Sequence, residues 1–117
     1  MIRDEWQRFL NRVIWSWQGW AATWRTEKSL RQWVMVNVIS AGFAIWLDLL
    51  GGERALILSL GLLILAVELM NTALETAIDY VSTDQHPLAK KAKDASSAAV
   101  AVTSIAGAVA WIAVLAG

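Results

Sequence analysis

The stretch ALILSLGLLILAVELMNTALETAIDYV, residues 55–81, joins a long apolar run to acidic residues at helical spacing. Residues 55–67 carry no charge, and neither proline nor a glycine after Gly61 interrupts the remainder of the stretch. This length of apolar chain predicts a transmembrane helix over 55–81. Four polar residues then occur at steps of three, four and four, which places them on one helix face: Glu68, Asn71, Glu75 and Asp79.

A carboxylate inside a bilayer costs about 2.5–3.5 kcal/mol, so acids there usually have a function. The alternative is a structural hydrogen bond to a neighbouring helix, but a stripe of three acids and an asparagine favours a functional site. Glu68 can reach a group on a molecule dissolved in the bilayer. Glu75 lies about 10 Å nearer the cytoplasm along the axis, and together with Asp79 it can reach a water-soluble ligand or a Mg²⁺ ion.

Two further apolar runs, residues 33–50 and 95–116, predict the remaining membrane spans. Asp48 near the end of the first run, followed by GGER at residues 51–54, predicts an exit into water and a tight turn. The second run is free of charge and has small residues spaced by four, which suits close helix packing. Hydrophobic residues make up 57% of the 117 residues, more than so short a soluble chain can bury. The sequence predicts one all-α membrane domain, residues 1–117, with three transmembrane helices.

Residues 4–24 predict an amphipathic helix that lies in the membrane interface or packs on other protein. Its apolar residues recur at steps of three and four: Trp6, Phe9, Leu10, Val13, Trp17, Trp20, Ala21 and Trp24. Arg8 and Trp15 are seven residues apart on another face, and this cation beside a stacking surface indicates either nucleotide binding or a chance pairing.

Lysine and arginine placement predicts the orientation. Six basic residues precede the first span, Arg54 alone lies between the first two spans, and Lys90, Lys91 and Lys93 lie between the second and third. The N-terminus and the second loop are therefore expected in the cytoplasm, with the C-terminus outside. The three lysines suit a polyanion or simple anchoring at the cytoplasmic face. Lys93 and Asp94 open the third span and need a partner or a polar cavity.

Several classes of function are excluded or disfavoured. The net charge is zero, which gives no basis for nucleic-acid binding, and the absence of cysteine excludes disulfides and thiolate sites. No cleaved signal peptide is expected at the charged start. None of the standard glycine-rich phosphate loops is present. If ATP binds, carboxylates, metal, lysine and arginine must hold its phosphates.

The motif ELMNTALETAID at residues 68–79, followed by HPLAKKAKD at 86–94 and SAAV at 97–100, closely resembles the prokaryotic diacylglycerol kinase family, which includes undecaprenol kinases. Residues 17–48 extend the likeness through Trp17, Gly19, Trp24, Glu27 and Arg31-Gln32 to the segment Trp46-Leu47-Asp48. The resemblance implies a homotrimer of three-span protomers with a surface helix in the bacterial cytoplasmic membrane. It also implies transfer of the γ-phosphoryl group of MgATP to the hydroxyl of diacylglycerol, which gives phosphatidic acid.

By matching position, the resemblance makes Glu68 the catalytic base, and Glu27 and Glu75 the ligands of Mg²⁺. The ATP-binding positions are Arg8, Trp15, Glu27, Asn71, Glu75, Asp84, Gln85, His86, Lys93 and Asp94. The lipid-binding positions are Arg8, Arg31, Trp46, Leu47, Asp48, Arg54, Glu68 and Ser97. The family often has tyrosine at position 15, glutamate at position 33 and glycine at position 96, where this chain has Trp15, Trp33 and Ser96.

The sequence is compatible with three hypotheses about function. The favoured one is an ATP-dependent diacylglycerol kinase, with undecaprenol as the alternative acceptor. The second is a small proton-coupled transporter with Glu68 as its carrier, which has no need of Glu27, Glu75 or the Lys93-Asp94 pair. The third is a non-catalytic membrane assembly subunit, for which Glu68 is dispensable.

Overall fold

The computed structural model describes all residues, 1–117, and contains four helices and no strands. They are α1 (Ile2–Thr26), α2 (Lys28–Trp46), α3 (Gly51–Val81) and α4 (Pro87–Ala116). The order agrees with the predicted surface helix followed by three long helices. Short connections at 47–50 and 82–86 make α2, α3 and α4 successive antiparallel neighbours.

The turn between α2 and α3 differs from the prediction. Residues 51–54 form the first turn of α3 and not a tight turn, because the Glu53 carboxylate accepts a hydrogen bond from the Leu50 backbone N–H at 2.9 Å. The chain reverses at residues 47–50, and α2 ends at Trp46 and not at residue 50. The Arg54 guanidinium donates to the carbonyl oxygens of Ala44, Leu47 and Leu49 at 2.8, 3.3 and 3.4 Å. It thereby satisfies carbonyls that the end of α2 leaves free.

Helix α4 begins at Pro87, earlier than the predicted residue 95. Proline suits the first helical position because its missing N–H would lack a partner there. His86 caps the helix, since its Nδ1 accepts the Leu88 N–H at 3.1 Å. The polar residues 87–94 are therefore the first two turns of α4 and not a loop.

Two of the helices, α3 and α4, are long and apolar enough to cross a membrane, with mean hydropathies of 2.0 and 2.2. Only 22% and 11% of these apolar stretches are buried within the chain, which is unlike the core helix of a soluble protein. Helix α2 is not among them, since its 19 residues begin with Lys28 and include Arg31.

Helix α3 is the centre of the fold and packs against both α2 and α4. Ala44, Ile57 and Ala110 meet in a small buried cluster. Gly61 lets α2 approach closely, because a side chain there would place its Cβ 2.7 Å from Oδ1 of Asn37. These small residues bring the helices together as they do in membrane bundles.

Helix α1 extends away from the other three. The molecule measures 48 × 46 × 24 Å, whereas helices packed at spacings of 8–10 Å form a much narrower bundle. The second long dimension therefore comes from α1, which contacts only α2 and α3. Its aromatic face is exposed, with Trp6 stacked on Phe9 and Trp20 on Trp24.

Candidate functional site

Glu68 is the only buried charged residue, with 3% of its surface exposed. The Ser29 hydroxyl, at the start of α2, donates a hydrogen bond of 2.5 Å to its Oε1. No other side chain forms a hydrogen bond to Glu68. No buried side-chain oxygen or nitrogen in the chain lacks a partner, so Oε2, which has none, must retain accessible surface. The carboxylate is thus held through one oxygen, while the other has no hydrogen-bond partner and keeps a small accessible surface.

Asn71 lies one turn further along α3 and is held by α4, whereas Glu68 is held by α2. Its Oδ1 accepts a 2.7 Å hydrogen bond from the Ser96 hydroxyl of α4. The Asn71 amide group therefore points its two donors away from Ser96. Amide donors in this position suit phosphate oxygens.

Asp79, the last acid of the stripe, contacts α4, which also carries an ion pair of its own. Asp79 and Lys93 form an ion pair of 2.6 Å, and Lys90 pairs with Asp94 at 2.5 Å. Lys90 and Asp94 are largely exposed and Lys93 and Asp79 about half exposed, so neither pair contributes much to the stability of the fold. The hydrogen bond from Lys90 to Asp94 and the charge of this acid raise the pKa of Lys90, which lies in the exposed first turns of α4. Lys93 and Asp94 thus have the partners that the sequence required of them.

A polar pocket of about 600 Å³ lies where α3 ends and α4 begins. Asp79 and Lys93 line one part of it, and the connection at 82–86 lines the rest. This pocket brings together five of the predicted ATP-binding residues: Asp84, Gln85, His86, Lys93 and Asp94. Its charged lining and its open form suit a phosphorylated, water-soluble ligand.

Glu27 and Glu75 are the two carboxylates predicted to hold Mg²⁺. Both are half-buried. Glu27 is the single non-helical residue between α1 and α2, and its side chain makes no capping bond. Neither carboxylate has a hydrogen-bond or ion-pair partner. No three aspartates, glutamates or histidines converge in the chain. Each carboxylate is free to bind a metal, and Mg²⁺ binds through one or two carboxylates together with phosphates and water.

An apolar groove of about 640 Å³ runs between α2 and α4 across the face of α3. It extends from Ile64, one turn before Glu68, towards Leu115. Two predicted lipid-binding residues, Trp46 and Leu47, line it. The Trp111 indole N–H donates to the Ser40 hydroxyl at 2.8 Å and links α4 to α2.

The other predicted lipid-binding residues lie elsewhere. Arg31 donates to the carbonyl oxygens of Trp24 and Arg25 and satisfies the end of α1, as Arg54 does for α2. Asp48 and Ser97 are exposed and form no side-chain hydrogen bond. Their contacts with a lipid stay predictions.

Arg8 and Trp15 are exposed on α1, and neither lines the polar pocket. A single chain therefore does not bring them to the other predicted ATP-binding residues. Their part in nucleotide binding stays a prediction that needs either a second copy of the chain or a movement of α1.

Sequence reasoning missed Ser29 altogether and treated Ser96 only as a departure from a glycine. Neither residue belongs to a motif on its own helix. Each acquires its role from the register of α2 or α4 against α3, for which the sequence contains no local signal. Their partners Glu68 and Asn71 were predicted, because those two share a helix and a spacing.

Comparison with known proteins shows which family the sequence matches. The family model of prokaryotic diacylglycerol kinase matches residues 14–115. A diacylglycerol kinase of Pseudomonas aeruginosa is 43% identical over 111 residues, which cover 95% of this chain and 90% of that protein. A diacylglycerol kinase of Escherichia coli K12 is 33% identical over 104 residues, covering 89% and 85%. One from Helicobacter pylori is 32% identical over 105 residues, covering 90% and 82%. This chain therefore belongs to the prokaryotic diacylglycerol kinase family.

Proposed function

We propose that this protein transfers the γ-phosphoryl group of ATP to the hydroxyl of diacylglycerol and so forms phosphatidic acid. Glu68 acts as the general base and takes the hydroxyl proton. The freed oxygen attacks the γ-phosphorus while the bond from this phosphorus to the β-phosphate bridging oxygen breaks, and ADP leaves. Membership of the family and the names of its relatives support a lipid kinase.

The position of Glu68 is the observation that carries this assignment. Along α3, Glu68 lies between two different environments. The apolar groove begins one turn earlier, at Ile64, and the polar pocket begins further on, at Ile78 and Asp79. A hydroxyl on a lipid and a phosphate from water can therefore approach the same helix face, as positioning catalysis requires.

Glu27 and Glu75 hold Mg²⁺ with the ATP phosphates in this proposal. The ion neutralises charge on the phosphates during transfer. Asn71 donates hydrogen bonds to phosphate oxygens through its amide group. Lys93, with Asp94 and the 84–86 segment, binds the nucleotide in the polar pocket.

The proposed topology has three spans in the bacterial cytoplasmic membrane, with α2 as the first. The N-terminus and the polar pocket then face the cytoplasm, where ATP is found, and the C-terminus lies outside. Support comes from the many exposed apolar residues of α2, such as Met35, Val38 and Ile45. The distribution of lysine and arginine supports the same orientation.

The proposed assembly is a homotrimer with sites shared between protomers. Only 7 of 117 residues are buried in a single chain, so much of its surface must contact lipid or other copies. A shared site also accounts for Arg8 and Trp15, because a neighbouring copy can supply them to the polar pocket. The small residues of α4 suit helix packing between copies.

An acceptor assay tests the proposed function. Purified chain in lipid vesicles is supplied with radiolabelled ATP, Mg²⁺ and either diacylglycerol or undecaprenol. We expect labelled phosphatidic acid as the main product, because the Arg31-Gln32 and Trp46-Leu47-Asp48 segments resemble those of diacylglycerol kinases. Preferred labelling of undecaprenol would instead identify the alternative acceptor. A proton-coupled transporter or an assembly subunit would label neither lipid.

A further inference from the structure

Ser29 forms the only hydrogen bond to the buried carboxylate of Glu68. The two residues come from different helices, 39 positions apart in the chain. Ser29 is partly buried, and its neighbour Leu30 is fully buried. The start of α2 is therefore fixed against α3 at the level of Glu68.

This contact leaves the two oxygens of Glu68 unequal. Oε1 already accepts a hydrogen bond from the Ser29 hydroxyl, while Oε2 has no partner and retains a small accessible surface. A carboxylate that could rotate freely would present either oxygen in many orientations. A hydrogen bond to Oε1 selects the orientation in which Oε2 faces the accessible space.

We propose that Ser29 is a positioning residue for Glu68, with its hydroxyl holding Oε1 so that Oε2 receives the proton of the lipid hydroxyl. The proposal rests on the kinase function proposed above and assigns a role to a residue outside its motifs. Ser29 itself transfers no proton, since Glu68 keeps its bond to the Ser29 hydroxyl throughout.

Because Ser29 lies at the start of α2, it also links Glu68 to a proposed metal ligand. Glu27, a proposed Mg²⁺ ligand, lies two residues before Ser29, at the start of the same helix. A hydrogen bond from this turn to Glu68 keeps the general base and a metal ligand at a fixed separation. Positioning of the catalytic groups is, together with charge stabilisation, what an enzyme contributes to phosphoryl transfer.

In a competing role, the Ser29 hydroxyl is a placeholder: it occupies the position on Glu68 that the lipid hydroxyl takes, and the lipid must displace it. The two roles differ in the sign of the effect they predict. Removing a placeholder strengthens lipid binding or raises turnover, whereas removing a positioning hydroxyl lowers turnover and leaves binding alone.

The test compares Ser29→Ala, Ser29→Thr and the control Ser59→Ala in the full-length chain in lipid vesicles. Ser59 is exposed on α3 and forms no side-chain hydrogen bond. We expect Ser29→Ala to lower kcat for diacylglycerol phosphorylation about tenfold, as loss of one hydrogen bond to a charged group implies. Its KM values for MgATP and diacylglycerol should match wild type, while its thermal midpoint should fall because buried Oε1 loses its only partner. Ser29→Thr keeps the hydroxyl and should retain most of kcat, and Ser59→Ala should retain all of it.

Wild-type kcat in Ser29→Ala, alongside an inactive Glu68→Gln variant, would overturn the positioning role and leave the proposed function intact. A higher kcat or a lower KM for diacylglycerol would overturn it in favour of the placeholder. If Ser29→Ala fails to fold, Ser29→Thr decides, because loss of kcat despite the retained hydroxyl contradicts the proposal. A wild-type chain that phosphorylates no lipid would overturn both proposals.

Discussion

Replacing Glu68 with glutamine should reduce kcat for lipid phosphorylation by about 10²–10⁴-fold, the usual contribution of a general base. Glutamine has the size of glutamate and can still accept the Ser29 hydrogen bond, so the packing of α3 against α2 should persist. It cannot take up the hydroxyl proton. Affinity for MgATP should stay close to wild type, because Glu27 and Glu75 remain.

The measurement is steady-state formation of phosphatidic acid, combined with equilibrium binding of a non-hydrolysable ATP analogue. Glu53→Gln is a matched control on the same helix, since Glu53 only caps the start of α3. This control should keep near-normal turnover. Near-normal turnover in Glu68→Gln would show that Glu68 is not the base and would remove the main support for the mechanism.

Replacing Glu75 with glutamine should weaken MgATP binding at least tenfold and lower turnover with it. Glu75 has no hydrogen-bond or ion-pair partner within the chain, so its carboxylate is available to bind a metal ion. An amide oxygen is a poorer ligand for Mg²⁺ than a carboxylate, because it carries no net negative charge. The expected loss corresponds to about 1.4 kcal/mol or more of binding free energy.

Metal-free ATP provides the internal control for this variant. If Glu75 acts through the metal, binding of ATP without Mg²⁺ should be equally weak in wild type and Glu75→Gln. A variant that loses affinity for metal-free ATP to the same degree would place Glu75 against the nucleotide itself. Unchanged MgATP affinity would remove Glu75 from the site.

The helices and the acidic stripe could be predicted because both depend on local pattern. Apolar runs of sufficient length and a repeat of three and four residues determine which segments become helices and which side chains share a face. Glu68 and Asn71 come directly from that repeat. Helix ends are harder to predict, since the start of α3 depends on one side-chain contact, from Leu50 N–H to Glu53.

The parts that escaped prediction depend on how one helix lies against another. Ser29 and Ser96 reach α3 only in the register that the fold adopts. The hydrogen bonds from the Arg31 and Arg54 guanidinium groups to backbone carbonyls at helix ends were also not predicted, while contact of these two residues with a lipid stays a prediction. The sequence shows the charge of an arginine but not the unsatisfied carbonyl within its reach.

The most direct test of the proposed mechanism locates the nucleotide along α3. The chain is labelled with ¹³C in its isoleucine methyl groups and given Mn²⁺ with a non-hydrolysable ATP analogue, so that the paramagnetic ion broadens nearby signals. We predict strong broadening of Ile78, which lines the polar pocket, and a sharp signal for Ile57, about 27 Å from Glu75 along the helix. Broadening of Ile57 as strong as that of Ile78, or no broadening when the nucleotide is added, would contradict the mechanism.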